Sequence, residues 1–217
     1  MELELLTQQV INRIFVPLEA SGRHVHVTRA QAQVLFGHLL TPKRDLSQPG
    51  QYLANERVTV IGPKGEFQNV AVLGPERPEA QVEISLTDAR TLGVTPPIRP
   101  SGKVENSPGI VLQGPKGRVE LKQGVIVAQR HIHVHPDDAP RLGVQDKQLV
   151  KLKTYTDRPT VFEELLVRVH PAFKTSVHLD YDEANACGFR EGDLGGSCND
   201  GVFAGAGAGP GFGLQLC

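Results

Sequence analysis

A short motif occurs twice in this chain, and it constrains the fold more than any other feature of the sequence. Residues 23–27 read RHVHV, and residues 130–134 read RHIHV. A second pair of segments is also similar, since residues 82–89, VEISLTDA, align with residues 177–184, VHLDYDEA. Two matches in the same order indicate an internal duplication and two similar structural units.

Many short β-strands are predicted between these motifs. Runs such as RVTVIG, AQVEIS, QLVKLK and LLVRVH are rich in β-branched and apolar residues, and Gly- and Pro-containing turns separate them. Short helices are expected where a polar capping residue follows a strand and a Gly ends the next segment. The pattern predicts a mainly β fold with short α-helices, built from barrels or sandwiches, and two small β-barrel domains satisfy the repeat.

The repeats also set the expected organisation of the chain. We expect an amphipathic helix at residues 1–15, a β-barrel domain at 16–98, a linker at 99–117, a second barrel at 118–190 and a Gly-rich, mobile tail at 191–217. The N-terminal helix either packs on its own domain or docks into the groove of a partner. The tail contains too little apolar surface to offset the entropy lost on ordering.

Charge and hydropathy exclude several classes of function. The formal net charge is -1, and no basic tract marks a nucleic-acid surface. No apolar run approaches the roughly 20 residues that span a bilayer, and no secretory signal is evident, so we expect a soluble, intracellular protein. The three cysteines lack zinc-ribbon or redox spacing and are interpreted as free thiols: Cys187, Cys198 and Cys217.

The duplicated histidine pairs are the strongest indication of chemistry. Alternate residues of a strand point to the same face, so each His-x-His pair presents two imidazoles together. Zinc needs a third protein ligand, and a catalytic site keeps a further position open. The second pair of repeated segments contributes a glutamate in one unit and a histidine in the other, at equivalent positions. The candidate sets are His24, His26 and Glu83 in the first unit, and His131, His133 and His178 in the second.

Each of these assignments has a structural alternative. A His-x-His pair is often a hydrogen-bonded pair on a strand, Glu83 can be a solvated carboxylate, and His178 can be a core histidine. Arg23 and Arg130 precede their histidines and therefore point to the opposite strand face, where ion pairs are expected. Three further histidines have no counterpart in the repeat and are interpreted as structural: His38, His135 and His170.

Arg77 is the candidate for binding an anion. It lies in the turn GPERP just before the strand of Glu83, and simple alignment places Ala172 at the equivalent position of the second unit. An arginine that only one half carries can bind a phosphate group through its planar fork, and an exposed loop cation is the alternative. No Gly-rich nucleotide loop is present, so no residue is assigned to a nucleotide-containing substrate.

Longer segments carry a resemblance to a known family. They are GRHVHVT, LSQPGQYLANERVTVIGPKG, NVAVLGPERPEAQVEISLTDARTLG, GVIVAQRHIHVHPDDA and VHLDYDEANACG. Through them, the chain from about residue 16 to residue 190 resembles the phosphate propanoyltransferase family, the phosphotransacylases of bacterial microcompartments. The resemblance implies two β-barrel domains capped by short helices and a two-zinc active site where the domains meet.

The resemblance also implies a reaction and a setting. Acyl-CoA and phosphate would be converted reversibly into acyl phosphate and CoA, with propanoyl or acetyl as the acyl group. Carried over position by position, the two candidate sets would bind zinc and Arg77 would hold phosphate. A homo-oligomer inside a microcompartment of the bacterial cytoplasm is implied, with shell or enzyme partners bound through the N-terminal helix. That helix lacks the usual long linker, however, and the Gly-rich tail departs from the family pattern.

Two other functions fit the same residues. A two-metal hydrolase would use water instead of phosphate as the nucleophile on a thioester or a phosphate ester. A non-catalytic microcompartment assembly module would hold closed metal sites with no exchangeable position. For the acyltransferase, we expect direct attack by phosphate and not a covalent acyl-enzyme intermediate. No cysteine or serine lies beside a repeated histidine with a convincing activating partner.

Overall fold

The structure is a computed structural model that describes residues 14–196. The predicted helix at 1–15 and tail at 191–217 therefore lie almost entirely outside the described residues, as do Cys198 and Cys217. Strands dominate the described part of the chain, which also contains four short helices. The prediction of a mainly β fold with short helices is confirmed.

The elements follow one another along the chain in short segments. The strands are β1 (Val16–Ser21), β2 (His24–His26), β3 (Pro42–Asp45), β4 (Tyr52–Ile61), β5 (Glu66–Gly74), β6 (Gln81–Glu83), β7 (Ile98–Arg99), β8 (Ile110–Gln113), β9 (Arg118–Leu121), β10 (Val125–Ala128), β11 (His131–Val134), β12 (Leu149–Tyr155), β13 (Val161–Val169), β14 (Ser176–Asp180) and β15 (Leu194–Gly196). The helices are α1 (Arg29–Phe36), α2 (Leu86–Leu92), α3 (Ala139–Leu142) and α4 (Tyr181–Cys187).

The described chain forms two compact units. The N-terminal unit contains Ser21–Gln129 and Asp180–Asp182, and the C-terminal unit contains Arg130–Leu179 with the described residues before Ser21 and after Asp182. This division differs from the predicted boundaries, because β8 lies inside the predicted linker at 99–117 and pairs with β4 of the N-terminal unit. The Pro and Gly residues of that segment form turns between strands of one sheet.

The C-terminal unit is a closed six-stranded barrel with the strand order β1-β14-β11-β13-β12-β15. Antiparallel pairing of Val16 with Gly195 closes the barrel between β1 and β15. Closure removes the sheet edges that would otherwise leave backbone groups unpaired. Its buried core includes Ile132, Leu152, Leu165, Val167 and Val177.

The N-terminal unit is a curled, half-barrel sheet with the order β7-β10-β6-β2-β5-β4-β8-β9, and β3 pairs with β4. β10 and β9, which the sequence analysis assigned to the second barrel, belong to this sheet. Their apolar side chains extend the same core, since Leu121 and Val125 pack with it. Other members of this core are Val25, Leu35, Val58, Val72 and Leu112.

Strand register displays the duplication in three dimensions. β2 lies between β5, which is parallel to it, and β6, which is antiparallel. β11 lies in the same way between the parallel β13 and the antiparallel β14. Within these ladders His24 pairs with Glu83, and His131 pairs with His178. The two units therefore repeat one local topology around the histidine strand.

Short helices follow these strands at repeated positions. α1 begins with a capping box between Thr28 and Gln31, and α2 begins with one between Ser85 and Asp88, which satisfies backbone N–H groups of the first turn. A glycine with positive φ follows each of the four helices, as expected for a residue without Cβ. These glycines are Gly37, Gly93, Gly143 and Gly188.

Ion pairs occupy the strand face opposite the repeated histidines, as predicted. Arg23 donates to Asp88 over 2.7 Å, and its guanidinium lies 4.1 Å from the ring centre of Phe67. Arg130 donates to Glu183, which occupies the position equivalent to Asp88 in the duplicated segment. Both pairs connect the start of a histidine strand to the helix after the third candidate ligand. Their role is to join these elements within each unit.

We expect Asp88→Ala to destabilise the protein. The carboxylate of Asp88 accepts from Arg23 and from the backbone of Ser85, and losing a buried charged partner costs roughly 2 to 3 kcal/mol. Urea unfolding followed by circular dichroism measures the change. Asp157→Ala is the control, since its pair with Arg190 is exposed and such pairs contribute about 0–1 kcal/mol. Equal losses in both variants would contradict this account of Asp88.

Candidate functional site

The first candidate set is built on two adjacent strands of the N-terminal unit. His24 and His26 lie on one face of β2, and antiparallel pairing places Glu83 of β6 directly opposite His24. All three side chains are buried. Their ligand atoms lie within 4.8 Å of one another, and 3.6 Å separates His24 Nε2 from Glu83 Oε1. The set predicted from the sequence is therefore brought together in a geometry that could hold a metal ion.

Backbone carbonyls fix the orientation of both imidazoles. His24 Nδ1 lies 2.8 Å from the carbonyl oxygen of Gly22, and His26 Nδ1 lies 3.2 Å from that of Leu73. A carbonyl oxygen only accepts hydrogen bonds, so each Nδ1 must carry the proton. The lone pair of each neutral ring is then on Nε2. This arrangement is the one that metal-binding histidines usually show.

Burial and charge act in opposite directions on these three groups. Burial would raise the pKa of Glu83, but the imidazoles of His24 and His26 outweigh it and lower that pKa. Burial, reinforced by His24 and Arg77, lowers the pKa of His26 well below its usual value. For His24, burial lowers the pKa, but the carboxylate of Glu83 more than compensates and raises it. The set thus combines an ionised carboxylate with a neutral imidazole at His26.

A polar network that the sequence analysis did not find surrounds the carboxylate. Glu83 Oε1 accepts from Ser101 Oγ over 2.8 Å and also from Gln81 Nε2. Gln81 is fully buried, and its Oε1 accepts from Gly102 N over 2.7 Å. Gln81 precedes Glu83 by two residues on the same strand, so the strand periodicity could have identified it. Ser101 and Gly102 gave no such signal, because they lie in the segment predicted as a linker.

Arg77 lies on a loop that is attached to the histidine strand. Its backbone N–H donates over 2.9 Å to the carbonyl of Val27, the residue after β2. The side chain is half-buried. Its charge contributes to the lowered pKa of His26 and partly opposes the rise in the pKa of His24 that Glu83 causes. The structure therefore brings the predicted anion-binding arginine to the first candidate set. A cation in that place can attract an anionic group to the set.

The second candidate set clusters in the C-terminal unit. The ring centroid of His133 lies 4.7 Å from that of His131 and 4.6 Å from that of His178, and the other two centroids are 5.1 Å apart. Within the part of the chain that the structure describes, the first set is the one whose three ligand atoms lie within 4.8 Å of one another. The three rings of the second set thus lie close together, but their ligand nitrogens are farther apart than the ligand atoms of the first set.

His133 has an unsatisfied ring nitrogen. Its Nδ1 is buried without a hydrogen-bond partner, and its ring stacks on Phe173 with the centroids 4.0 Å apart. Burial, with smaller contributions from His131 and His178, lowers the pKa of His133 to about 2. A buried polar atom without a partner costs about 1–3 kcal/mol. A metal ion bound to Nδ1 would supply the partner that this nitrogen otherwise lacks.

Two polar residues adjoin the second set. Ser176 Oγ lies 3.1 Å from His178 Nε2, and β13 places Arg168 beside His133.

His170 is equivalent to Arg77 by its backbone contact, since its N–H donates over 3.1 Å to the carbonyl of Val134. Simple alignment had placed Ala172 there. The alignment failed because the loop to the third candidate ligand is longer in the C-terminal unit.

The remaining histidines make local contacts, in line with the structural interpretation. His38 Nδ1 contacts the carbonyl of Leu39, and the ring nitrogens of His135 and His170 accept backbone N–H groups two residues further along the chain. Cys187 is a free thiol, as predicted. It is buried, and burial raises its pKa. Among residues 14–196, no helix is long and apolar enough to cross a bilayer.

Fold and site together define a class of protein: a duplicated β structure in which each unit presents two strand histidines and a third side chain of metal-ligating type. The family model described as phosphate propanoyltransferase matches residues 17–190. The phosphate propanoyltransferase of Leptotrichia buccalis is 56% identical over 180 residues, which cover 82% of this chain and 85% of that protein. The chain belongs to the phosphate propanoyltransferase family, a family of acyltransferases.

Other relatives carry the same name and align over most of their length. The Enterococcus faecalis protein is 49% identical over 198 residues, which cover 88% of this chain and 94% of that protein. The Thermotoga maritima protein is 52% identical over 177 residues, which cover 80% of this chain and 84% of that protein. The resemblance inferred from the sequence segments is therefore confirmed.

Proposed function

We propose that this chain is a phosphate acyltransferase that interconverts acyl-CoA and phosphate with acyl phosphate and CoA. The observation that carries the proposal is the buried set of His24, His26 and Glu83, whose ligand atoms lie within 4.8 Å of one another. It occurs in a chain whose relatives are named for propanoyl transfer to phosphate. Propanoyl-CoA is accordingly the first acyl donor to test, with acetyl-CoA as the second.

The donor groups in both units suit zinc. Two imidazoles with a carboxylate, and three imidazoles, are both ligand sets that leave a fourth position open in a tetrahedral site. The proton on Nδ1 of His24 and His26 and the unpartnered Nδ1 of His133 support metal binding. When bound, zinc would supply Lewis-acid polarisation of an oxygen and a soft acceptor for sulfur. We propose two zinc ions per chain, held by His24, His26 and Glu83 and by His131, His133 and His178.

Arg77 is proposed to bind phosphate. Its backbone contact with Val27 holds the loop beside β2, and its guanidinium charge acts on both histidines of that strand. A guanidinium can donate two parallel hydrogen bonds to a phosphate group and thereby orient its remaining oxygens. Holding phosphate in this way lowers the entropic cost of bringing two substrates together.

The proposed reaction is a direct transfer. A phosphate oxygen forms a bond to the thioester carbonyl carbon, the carbon–sulfur bond breaks, and CoA leaves as a thiolate. The proton of hydrogen phosphate balances the reaction by passing to that thiolate, either directly or through solvent. Cys187 is not a candidate for an acyl-enzyme, because it is buried in the C-terminal core and its pKa is raised. Exchange of labelled CoA into acyl-CoA without phosphate would contradict direct transfer.

Product analysis in ¹⁸O-labelled water tests the proposal against hydrolysis. The transferase should form acyl phosphate, trapped as the hydroxamate with hydroxylamine, without label entering the acyl carbonyl. A thioester hydrolase would instead place one labelled oxygen in free propanoate, whether phosphate is present or not. Metal-loaded protein that converts neither acyl-CoA would support a non-catalytic role.

Location and assembly extend the same proposal. Family resemblance supports residence inside a bacterial microcompartment and self-association of the chain. Co-purification with shell proteins from a microcompartment-forming bacterium, with and without residues 1–13, tests the proposed contribution of the N-terminal helix. Light scattering of the full chain measures its oligomeric state.

A further inference from the structure

The carboxylate of Glu83 is held by a network of side chains that comes from two separate segments. Gln81 Nε2 and Ser101 Oγ both donate to Glu83 Oε1, the oxygen that lies 3.6 Å from His24 Nε2. Gln81 Nε2 also donates to Ser101 Oγ over 2.9 Å. Both amide hydrogens of Gln81 are therefore used.

The backbone determines which way the Gln81 amide points. Gly102 N–H donates to Gln81 Oε1 over 2.7 Å, so the amide oxygen must face Gly102 and the amide nitrogen must face Glu83. Ser101 Oγ already accepts from Gln81, and its own hydrogen is then free to donate to Glu83. The four hydrogen bonds of this partly buried network agree with one proton arrangement. A connected network of this kind holds its members more rigidly than separate hydrogen bonds would.

A tight turn supplies the second half of the network. Lys103 N–H donates to the carbonyl of Pro100 over 3.1 Å, and Gly102 has a φ of 93°. Residues 100–103 therefore form a type II turn, in which the third residue has a positive φ and is usually a glycine. The turn presents the hydroxyl of Ser101 and the N–H of Gly102 toward β6. A segment between two strands of the sheet thus acts on the candidate metal ligand.

The C-terminal unit contains a related contact at the equivalent position. His26 pairs with Gln81 across β2 and β6, and His133 pairs with Ser176 across β11 and β14. Ser176 hydrogen-bonds to His178, which is two residues further along the strand, as Glu83 is from Gln81. In both units, the residue two positions before the third candidate ligand contacts that ligand. Each unit contains its own version of this contact.

We propose that Gln81 and Ser101 are positioning residues that hold the Glu83 carboxylate toward His24 and His26 and thereby set the metal affinity of the N-terminal centre. This inference rests on the proposed function, since it assumes that Glu83 binds a metal ion. Partners of metal ligands commonly change metal affinity by about 10–100-fold. Because Ser176 occupies the equivalent position in the other unit, the effect of Gln81 is confined to the N-terminal centre.

The experiment measures metal affinity in the full-length protein. Zinc is titrated against a chromogenic chelator in wild type and in a His133→Ala background, in which the N-terminal centre is the one that remains intact. Gln81→Met keeps the size of the side chain but removes its three hydrogen bonds, to Glu83, to Ser101 and from Gly102, and Ser101→Ala removes the hydroxyl. Ser101→Thr keeps a hydroxyl, and Gln113→Met is the matched control, because Gln113 is a half-buried glutamine on β8 whose amide donates to the carbonyls of Gly114 and Gly117, and three strands separate β8 from β6.

We expect Gln81→Met to weaken zinc binding at the N-terminal centre by about 10–100-fold and Ser101→Ala by a smaller factor within that range. Ser101→Thr should recover most of the affinity, and the visible spectrum of bound Co²⁺ should change in Gln81→Met but not in Gln113→Met. Unchanged zinc affinity and an unchanged Co²⁺ spectrum in Gln81→Met would overturn the inference. Wild type that binds no zinc would instead overturn the proposed metal function, and the inference with it.

Discussion

His24→Ala should lower kcat/KM for phosphate-dependent CoA release by about 10³-fold or more, because stabilisation of charge by a metal ion contributes several kcal/mol and each 1.4 kcal/mol is about tenfold in rate. The variant loses one imidazole of a set whose third member, Glu83, lies 3.6 Å from it. Zinc content should fall from two ions per chain to one. Continuous thiol detection and elemental analysis measure both quantities.

A matched variant of the other unit separates the two centres. His131→Ala should also leave one zinc ion per chain, because the two sets belong to different units. His38→Ala is the control, since His38 is exposed and contacts the backbone of Leu39. Its zinc content and rate should stay within about twofold of wild type, as expected for a surface substitution. Full zinc content in His24→Ala would contradict the assignment of that ligand.

Arg77→Ala should reduce kcat/KM for phosphate by about 10–100-fold, because a hydrogen bond to a charged group contributes about 1.5–3 kcal/mol. The effect should appear mainly in the KM for phosphate, while the KM for propanoyl-CoA changes little. Arg77→Lys should recover only part of the loss, since lysine supplies the charge without the planar fork. Initial rates over a matrix of both substrate concentrations provide these constants.

Arg118→Ala is the control for Arg77, because Arg118 is an exposed arginine on β9 of the same unit. It should leave both KM values unchanged. A loss in Arg77→Ala that fell equally on the two substrates would argue against phosphate binding by this residue. Zinc content should remain at the wild-type value, which distinguishes loss of phosphate binding from loss of the metal centre.

The duplication allowed much of the site to be predicted from the sequence. Alternation along a strand places His24 and His26 on one face, and the second repeated segment identified Glu83 as the partner strand's residue. The structure pairs these positions directly. Their proximity could be predicted because the orientation of the histidine pair depends on strand periodicity, which is a local property of the chain, and the partner strand came from the repeat. The position of Arg77 could also be inferred locally, because its turn immediately precedes the strand of Glu83.

Features that depend on tertiary pairing could not be predicted. Pro and Gly between residues 99 and 117 are compatible with a linker or with turns of one sheet, and only the pairing of β8 with β4 distinguishes them. Ser101 and Gly102 were missed because of that ambiguity. The equivalence of His170 with Arg77 was missed because loops of different length break a simple alignment. Closure of one sheet and not the other likewise depends on which edge strands meet.

The most direct test of the proposed reaction is CoA release from propanoyl-CoA by protein as purified, stripped of metal by a chelator, and restored with zinc, each with and without phosphate. We predict release that requires phosphate, disappears with the metal and returns when zinc is added. Release that is independent of phosphate, or that persists at the same rate after the metal is removed, would contradict the assignment of a zinc-dependent phosphate acyltransferase.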